Sequence, residues 1–138
     1  MANPFVLTED HIREMVNINK IDLGYVVKSQ SISEDLIRDL ADKLDWNLVS
    51  AYQKLPEDLM REFSHKVNWS SISKKQVLID DFIREFQDRL DWAHMAINQQ
   101  LSKDIILEFA NKLNIYHLLL FQKKLDPETR EYLKLLKS

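Results

Sequence analysis

Along this chain apolar residues come in short bursts at steps of three and four: Leu36, Ile37, Leu40 and Leu44; Leu59, Met60, Phe63 and Val67; Phe82, Ile83, Phe86 and Leu90; Ile105, Ile106, Phe109 and Leu113. That spacing is the stripe of an amphipathic helix, since a half-buried strand would alternate at every second residue. Each burst predicts a helix of about twelve residues, near 18 Å long at 1.5 Å per residue. Behind each burst stands a turn-favouring residue, Asp45, Asn68, Asp91 or Asn114. Such side chains bond to nearby backbone and so favour turns and helix caps over helix interiors. A second burst follows, carrying Val49, Ile72, Met95 or Leu118 inward and ending near Gln53, Gln76, Gln99 or Gln122. The pattern predicts a tight turn into a second, shorter helix.

The helix starts are marked as well. Ser33 and Ser102 stand where a hydroxyl can accept an orphan backbone N–H, and Glu34, Asp35, Glu57 and Asp58 place negative charge in the first turn. Asp126-Pro127 is the strongest start signal, a cap residue followed by a proline at the first helical position. Ile79 occupies the same slot in the third burst, where the cap is expected to be weaker.

These bursts share one register. Trp46, Trp69 and Trp92 are separated by 23 residues each, with Ile115 in the fourth position, and the stretches beginning at Ile32, Leu55, Leu78 and Leu101 superpose without a gap. A fixed period of roughly 20–50 residues marks stacked repeats, each too small to bury its own apolar face. The expected fold is all-α, an α-solenoid of short antiparallel helix hairpins with a 23-residue repeat, forming a single helical-repeat domain over residues 1–138. It divides into an atypical first repeat (5–29), repeats at 30–52, 53–75, 76–98 and 99–121, and a half-repeat cap at 122–138. The first repeat carries two extra residues before Ile21, and the last matches only the first helix.

The runs LPEDLMREFSHKVNW from Leu55 and LIDDFIREFQDRLDW from Leu78 resemble the short DW-containing helical repeats found in many copies in proteins of large DNA viruses and in some bacteriophage-type sequences. The resemblance extends from about Leu7 to Lys137. It implies a virus- or phage-encoded repeat array without a known catalytic centre. The fourth full repeat departs from the pattern at Ile115, in place of Trp, and at Leu107, in the slot of Arg38, Arg61 and Arg84.

Composition narrows the function. One glycine and three prolines leave little material for sheet turns or a phosphate-cradling loop, and the absence of cysteine excludes disulfides, thiolate metal sites and a cysteine nucleophile. No stretch reaches the ~20 apolar residues needed to span a bilayer, and the first residues lack a leader pattern. A formal charge of −3 with interleaved signs lacks the basic stripe of a nucleic-acid binder. A cytoplasmic protein is expected, in the host cell cytoplasm if viral or phage-encoded, with no membrane and no direct nucleic-acid contact.

Charges fall in columns too. Asp39 and Lys43, Glu62 and Lys66, Glu85 and Arg89, and Glu108 and Lys112 are each four apart with the acid first, the order that supports a helix from within. His94 and His117 share a slot, but two histidines without a further ligand make a poor zinc site, and no phosphate-loop, dinucleotide or nucleophile-elbow motif is present. No enzymatic activity, cofactor or metal is expected.

Slots that differ between repeats are the ones a partner can shape, because what a scaffold needs must recur. They cluster on the second helix and nominate Asn47, Ser71, His94, Ile97, Tyr116, His117, Leu120 and Phe121 for protein binding. The run IYHLLLF from Ile115 is apolar nearly all round, and its extra face must be covered. Tyr132, Leu133, Leu135 and Leu136 of the terminal helix are the expected cover; a partner protein, or a second copy of the chain through the C-terminal repeat, is the alternative. The expected function is a non-catalytic scaffold binding a partner protein. The alternative is a small inhibitor of a host-defence nucleoprotein, anti-CRISPR-like or blocking a nucleic-acid channel.

Overall fold

The computed structural model describes residues 6–136, and within them the chain forms helices and no strand. Residue 5, the expected start of the first repeat, and residues 137 and 138 of the expected cap lie outside the described residues. Helices α1 (Glu9–Asn17), α2 (Leu23–Ser29), α3 (Glu34–Asp39), α4 (Trp46–Tyr52) and α5 (Glu57–Glu62) belong to one compact unit, Met1–Val67. Helices α6 (Trp69–Lys75), α7 (Asp80–Glu85), α8 (Trp92–Asn98), α9 (Lys103–Glu108), α10 (Ile115–Phe121) and α11 (Pro127–Leu135) belong to a second, Asn68–Ser138. In the N-terminal unit α2 packs on α4; in the C-terminal unit α6 packs on α8, α8 on α10, and α10 on α11.

The starts follow the caps read from the sequence. Ser33 Oγ accepts from Leu36 N, Ser102 Oγ from Ile105 N, and Asp126 from Thr129 N with Pro127 at the first helical position. Asp45, Asn68, Asp91 and Asn114 each cap the helix that follows. Ile79 makes no side-chain cap, and neither does Pro56.

The helices of the first bursts are shorter than predicted. α3, α5, α7 and α9 hold six residues each instead of about twelve. The ladder gives way at the C-cap: Ala41 N turns to Arg38 O at 3.4 Å, three residues back, and Lys43 N to Leu40 O at 2.8 Å, so a second tight turn replaces a continued helix. The apolar three-four spacing survives that turn, which is why the sequence reads as one longer helix. The bend also leaves a carbonyl for the indole: Trp46 Nε1 donates to Ala41 O and Trp92 Nε1 to Gln87 O, both at 2.9 Å.

Leu36, Ile37, Val49, Leu59 and Met60 form the core of the N-terminal unit, and Ile72, Phe82, Ile83, Met95, Ile105, Ile106 and Leu118 that of the C-terminal one. Each Trp meets the phenyl ring 17 residues ahead. Ring centroids are 4.7 Å apart for Trp46 and Phe63, 4.9 Å for Trp69 and Phe86, and 4.8 Å for Trp92 and Phe109. Such contact adds about 0.5–1.5 kcal/mol to the burial itself. Trp46 is buried, whereas Trp69 and Trp92 are half-buried, so the three expected core posts are not equally enclosed.

Within each unit glutamines fasten second helices to the ones before them, α4 to α2, α8 to α6 and α10 to α8. Gln53 Nε2 donates to the carbonyls of Val27 and Gln30, Gln99 Nε2 to those of Ser73 and Gln76, and Gln122 Nε2 to those of Ala96 and Gln99. Those acceptors are the unsatisfied carbonyls that every helix leaves at its C-terminal end. The amide oxygens work in the other direction, Gln53 Oε1 accepting from Ile32 N and Gln122 Oε1 from Leu101 N. At α10 the corresponding carbonyl, Leu119 O, accepts from the Arg130 guanidinium of α11 at 3.2 Å.

The arginines pair along their own helices, Arg38 with Glu34, Arg61 with Glu57 and Arg84 with Asp81, but Glu62, Glu108, Lys66 and Lys112 find their partners on neighbouring segments. Glu62 meets Arg38 and Glu108 meets Arg84, both at 2.9 Å, while Lys66 and Lys112 reach Asp42 and Asp88 at 3.6 Å. The expected Glu62–Lys66 and Glu108–Lys112 pairs need a helix running through both members. α5 ends at Glu62 and α9 at Glu108, so each lysine falls in the following turn. Hydrogen bonding to Glu62 and Glu108 raises the pKa of Arg38 and Arg84 above the ordinary value.

Candidate functional site

Seven of the eight nominated residues fall on three successively packed helices of the C-terminal unit: Ser71 on α6, His94 and Ile97 on α8, and Tyr116, His117, Leu120 and Phe121 on α10. Asn47 lies exposed on α4 of the other unit, its backbone N–H donating to Asp45 Oδ1 at 2.9 Å. The three helices are short and each is started by its own Asx cap, with Asn68 accepting from Ser71 N, Asp91 from His94 N and Asn114 from His117 N. Ser71 and His94 thus share a structural duty as the backbone donors of their caps, which any residue except proline can perform.

α10 presents the apolar part of the surface. Tyr116 is 71% exposed, Leu120 75% and Phe121 45%, whereas Ile115 and Leu118 of the same helix are buried. Tyr116 and Leu120 are four apart and so share a stripe. Preceding helices carry smaller residues at the positions 23, 46, 69 and 92 residues before Tyr116: Ala93 on α8, Ser70 on α6, Asn47 on α4 and Gly24 on α2. A Cβ added at Gly24 would meet Leu48 Cδ1 at 3.2 Å, and Ser70 Oγ reaches Asp91 Oδ2 at 3.4 Å, so on α2 and α6 this slot faces the next second helix at close range.

The expected cover is partial. Leu133 of α11 is fully buried and Leu136 half-buried, but Tyr132 is 48% and Leu135 81% exposed. α11 packs on α10, with Arg130 reaching the Leu119 carbonyl, and it leaves Tyr116, Leu120 and Phe121 open. A groove of about 310 Å³ beside it is lined by Lys103, Leu107, Glu128, Thr129 and Tyr132, where Leu107 takes the arginine slot.

His94 and His117 are both half-buried, and each is occupied on its own helix. His94 Nδ1 lies 3.4 Å from Asn98 Nδ2, and its Nε2 lies 3.9 Å from Asp91 Oδ2. The His117 ring meets Phe121 edge-on with centroids 6.2 Å apart, and its Nδ1 is buried without a hydrogen-bond partner among the described residues. Among the described residues no group of three or more His, Asp or Glu is arranged to hold a metal ion, and no helix is long and apolar enough to cross a membrane.

The glutamine column escaped the sequence reading, which took Gln53, Gln76, Gln99 and Gln122 only as helix ends. The signal was present: an unvarying long polar residue at the close of every second helix has no local reason to recur. Comparison with protein-family models, curated proteins and solved structures finds no match.

Proposed function

We propose that this chain is a non-catalytic helical-repeat scaffold that binds a partner protein through the second-helix surface centred on α10. In this reading each compact unit is a stack of 23-residue hairpins, an α-solenoid arrangement supported by second helices that begin at Trp46, Trp69, Trp92 and Ile115 and by Trp–Phe contacts that recur 17 residues apart. The observation that carries the binding role is the exposure of Tyr116, Leu120 and Phe121 on one helix. Scaffold positions recur from repeat to repeat, whereas the slot of Tyr116 is small or polar elsewhere. The slot of Leu120 holds Ala51, Lys74 or Ile97 and that of Phe121 holds Tyr52, Lys75 or Asn98; only α10 sets large apolar residues in all three. Contiguous apolar surface of this sort marks interaction sites. The resemblance to DW-containing repeats supports a viral or phage origin.

Channel blocking is less well supported, because Glu62 and Glu108 already hold arginines of the neighbouring helices. The test of the binding role is co-purification of the full chain from its native host, comparing wild type with Tyr116→Asp and Leu120→Asp variants whose circular dichroism and melting match wild type. Loss of one specific protein with either variant is the expected result; identical recovery of every protein overturns the reading.

A further inference from the structure

We infer that the second-helix layer of the C-terminal unit docks an amphipathic helix whose apolar stripe is flanked by aspartate and glutamate. This rests on the protein-binding reading above and specifies the partner's chemistry. Helices α6, α8 and α10 contain no acidic residue at all. The first helices of the same unit hold Asp80, Asp81, Glu85, Asp104, Glu108 and Glu128.

The cations divide along the same line. On the first-helix side Arg84 meets Glu108, Lys112 meets Asp88, Lys103 meets Asp126 and Lys134 meets Glu131. Lys74 and Lys75, at the end of α6, and Lys123 and Lys124, just beyond α10, are exposed and make no ion pair among the described residues. Asp91, at the start of α8, is already engaged by His94 N and Ser70 Oγ. The layer therefore offers uncompensated positive charge at α6 and beyond α10, with Tyr116, Leu120 and Phe121 as apolar anchors.

Size favours a helix lying across the layer. Neighbouring helices pack about 8–10 Å apart, so α6 to α10 spans about 20 Å, the length of roughly thirteen helical residues. Acidic side chains at one end of such a segment would reach Lys74 and Lys75 while apolar ones cover α10. Anchors of this type read a partner helix through residues spaced three and four apart.

A second copy of the chain fits poorly. Symmetric pairing of this layer on itself would set Lys74, Lys75, Lys123 and Lys124 against helices that carry no acidic residue, so their charge would stay uncompensated. Helices α7 and α9 of another copy would present acids, but their apolar residues Phe82, Ile83, Ile105 and Ile106 are buried. α11, with Tyr132 and Leu135 exposed beside Glu128 and Glu131, is the segment of a second copy that matches the description, and the dimer outcome of the test decides it.

The test is selection of a randomised, helix-forming peptide library, displayed on yeast, against the folded full-length chain, followed by fluorescence anisotropy of the recovered peptides. Enriched peptides should carry Asp or Glu beside apolar residues three and four apart. Their affinity should fall at least about tenfold with Leu120→Asp, and fall with Lys74→Glu/Lys75→Glu and with added salt. Exchanging the peptide's glutamates for lysines should restore binding to the Lys→Glu variant. Each variant is first matched to wild type by circular dichroism and melting.

Enrichment of basic peptides, indifference to these substitutions, no enrichment, or a concentration-dependent dimer broken by Leu120→Asp would overturn the inference. If the native partner is lost with Tyr116→Asp yet the selected peptides are not acidic, the helix inference falls and the protein-binding role stands. If no native protein responds to either α10 variant, that role falls instead.

Discussion

Gln122 Nε2 donates to the carbonyl of Ala96 at 2.8 Å, twenty-six residues earlier, and the same nitrogen reaches Gln99 O at 2.7 Å. One side-chain amide thus closes the C-terminal end of α8 from α10. Gln122 is only 2% exposed, so water cannot replace it readily. Removing it leaves two carbonyls and the Leu101 N–H short of a partner. Gln122→Ala is expected to destabilise the chain by about 2–4 kcal/mol, more than a neutral hydrogen bond is worth on average, because buried partners are orphaned. Gln122→Met, which keeps the length but not the hydrogen bonds, should recover little of the loss. Urea denaturation of the three proteins checks both expectations.

The Trp46–Phe63 contact at 4.7 Å is the packing counterpart of that clasp. Trp46→Ala should cost about 3–5 kcal/mol as a large buried side chain is lost. A double-mutant cycle with Phe63→Ala should return a coupling of about 0.5–1.5 kcal/mol, and additive losses would show that the rings do not stabilise each other. Quenching and shift of the Trp emission in the Phe63→Ala variant gives an independent reading.

Ile79 offers a gain of stability. Its backbone already has the extended geometry of a cap, φ −88 and ψ 162, but its side chain cannot accept a hydrogen bond. Ile79 is more than half exposed, so little burial is lost on exchange. Ile79→Ser should stabilise the chain by about 0.5–1 kcal/mol, read as a rise in melting temperature. A melting temperature equal to or below wild type counts against it.

Asp126 sets a pH dependence. The hydrogen bond from Thr129 N holds its carboxyl below the ordinary aspartate value, the Thr129 hydroxyl adds to the effect, and the Lys103 ammonium contributes less. A carboxylate with a lowered folded-state pKa contributes stability that is present above its unfolded value, about 3.9, and is lost as pH falls through the folded value. Carbon-13 NMR titration of the Asp126 carboxyl should give a midpoint below that of an unstructured aspartate. Asp126→Asn, which keeps the accepting oxygen, should preserve the helix start at neutral pH and flatten this part of the acid limb of the stability curve. A midpoint at or above the unstructured value would remove the assignment.

Helical character and helix starts were legible because they are local. Three-four apolar spacing and the cap residues Ser33, Ser102, Asp45, Asn68, Asp91 and Asn114 act within one or two turns of chain, and their positions in the folded protein match the reading. The nominated surface was legible in part. The all-round apolar character of Ile115–Phe121 was evident, but which of its side chains stay open depends on where α11 comes to rest.

What the residue order determined by itself was therefore the class of element, its register along the chain and the face it must bury, all consequences of backbone periodicity and local hydrogen bonding. Tertiary structure decided the partners. It placed Gln122 on the carbonyls of Ala96 and Gln99, turned Glu62 and Glu108 from lysines four residues ahead to arginines twenty-four residues behind, and cut the first helices to six residues. Each of these depends on a distant segment of chain arriving at bonding distance, and one turn of helix carries no information about which distant group will meet it.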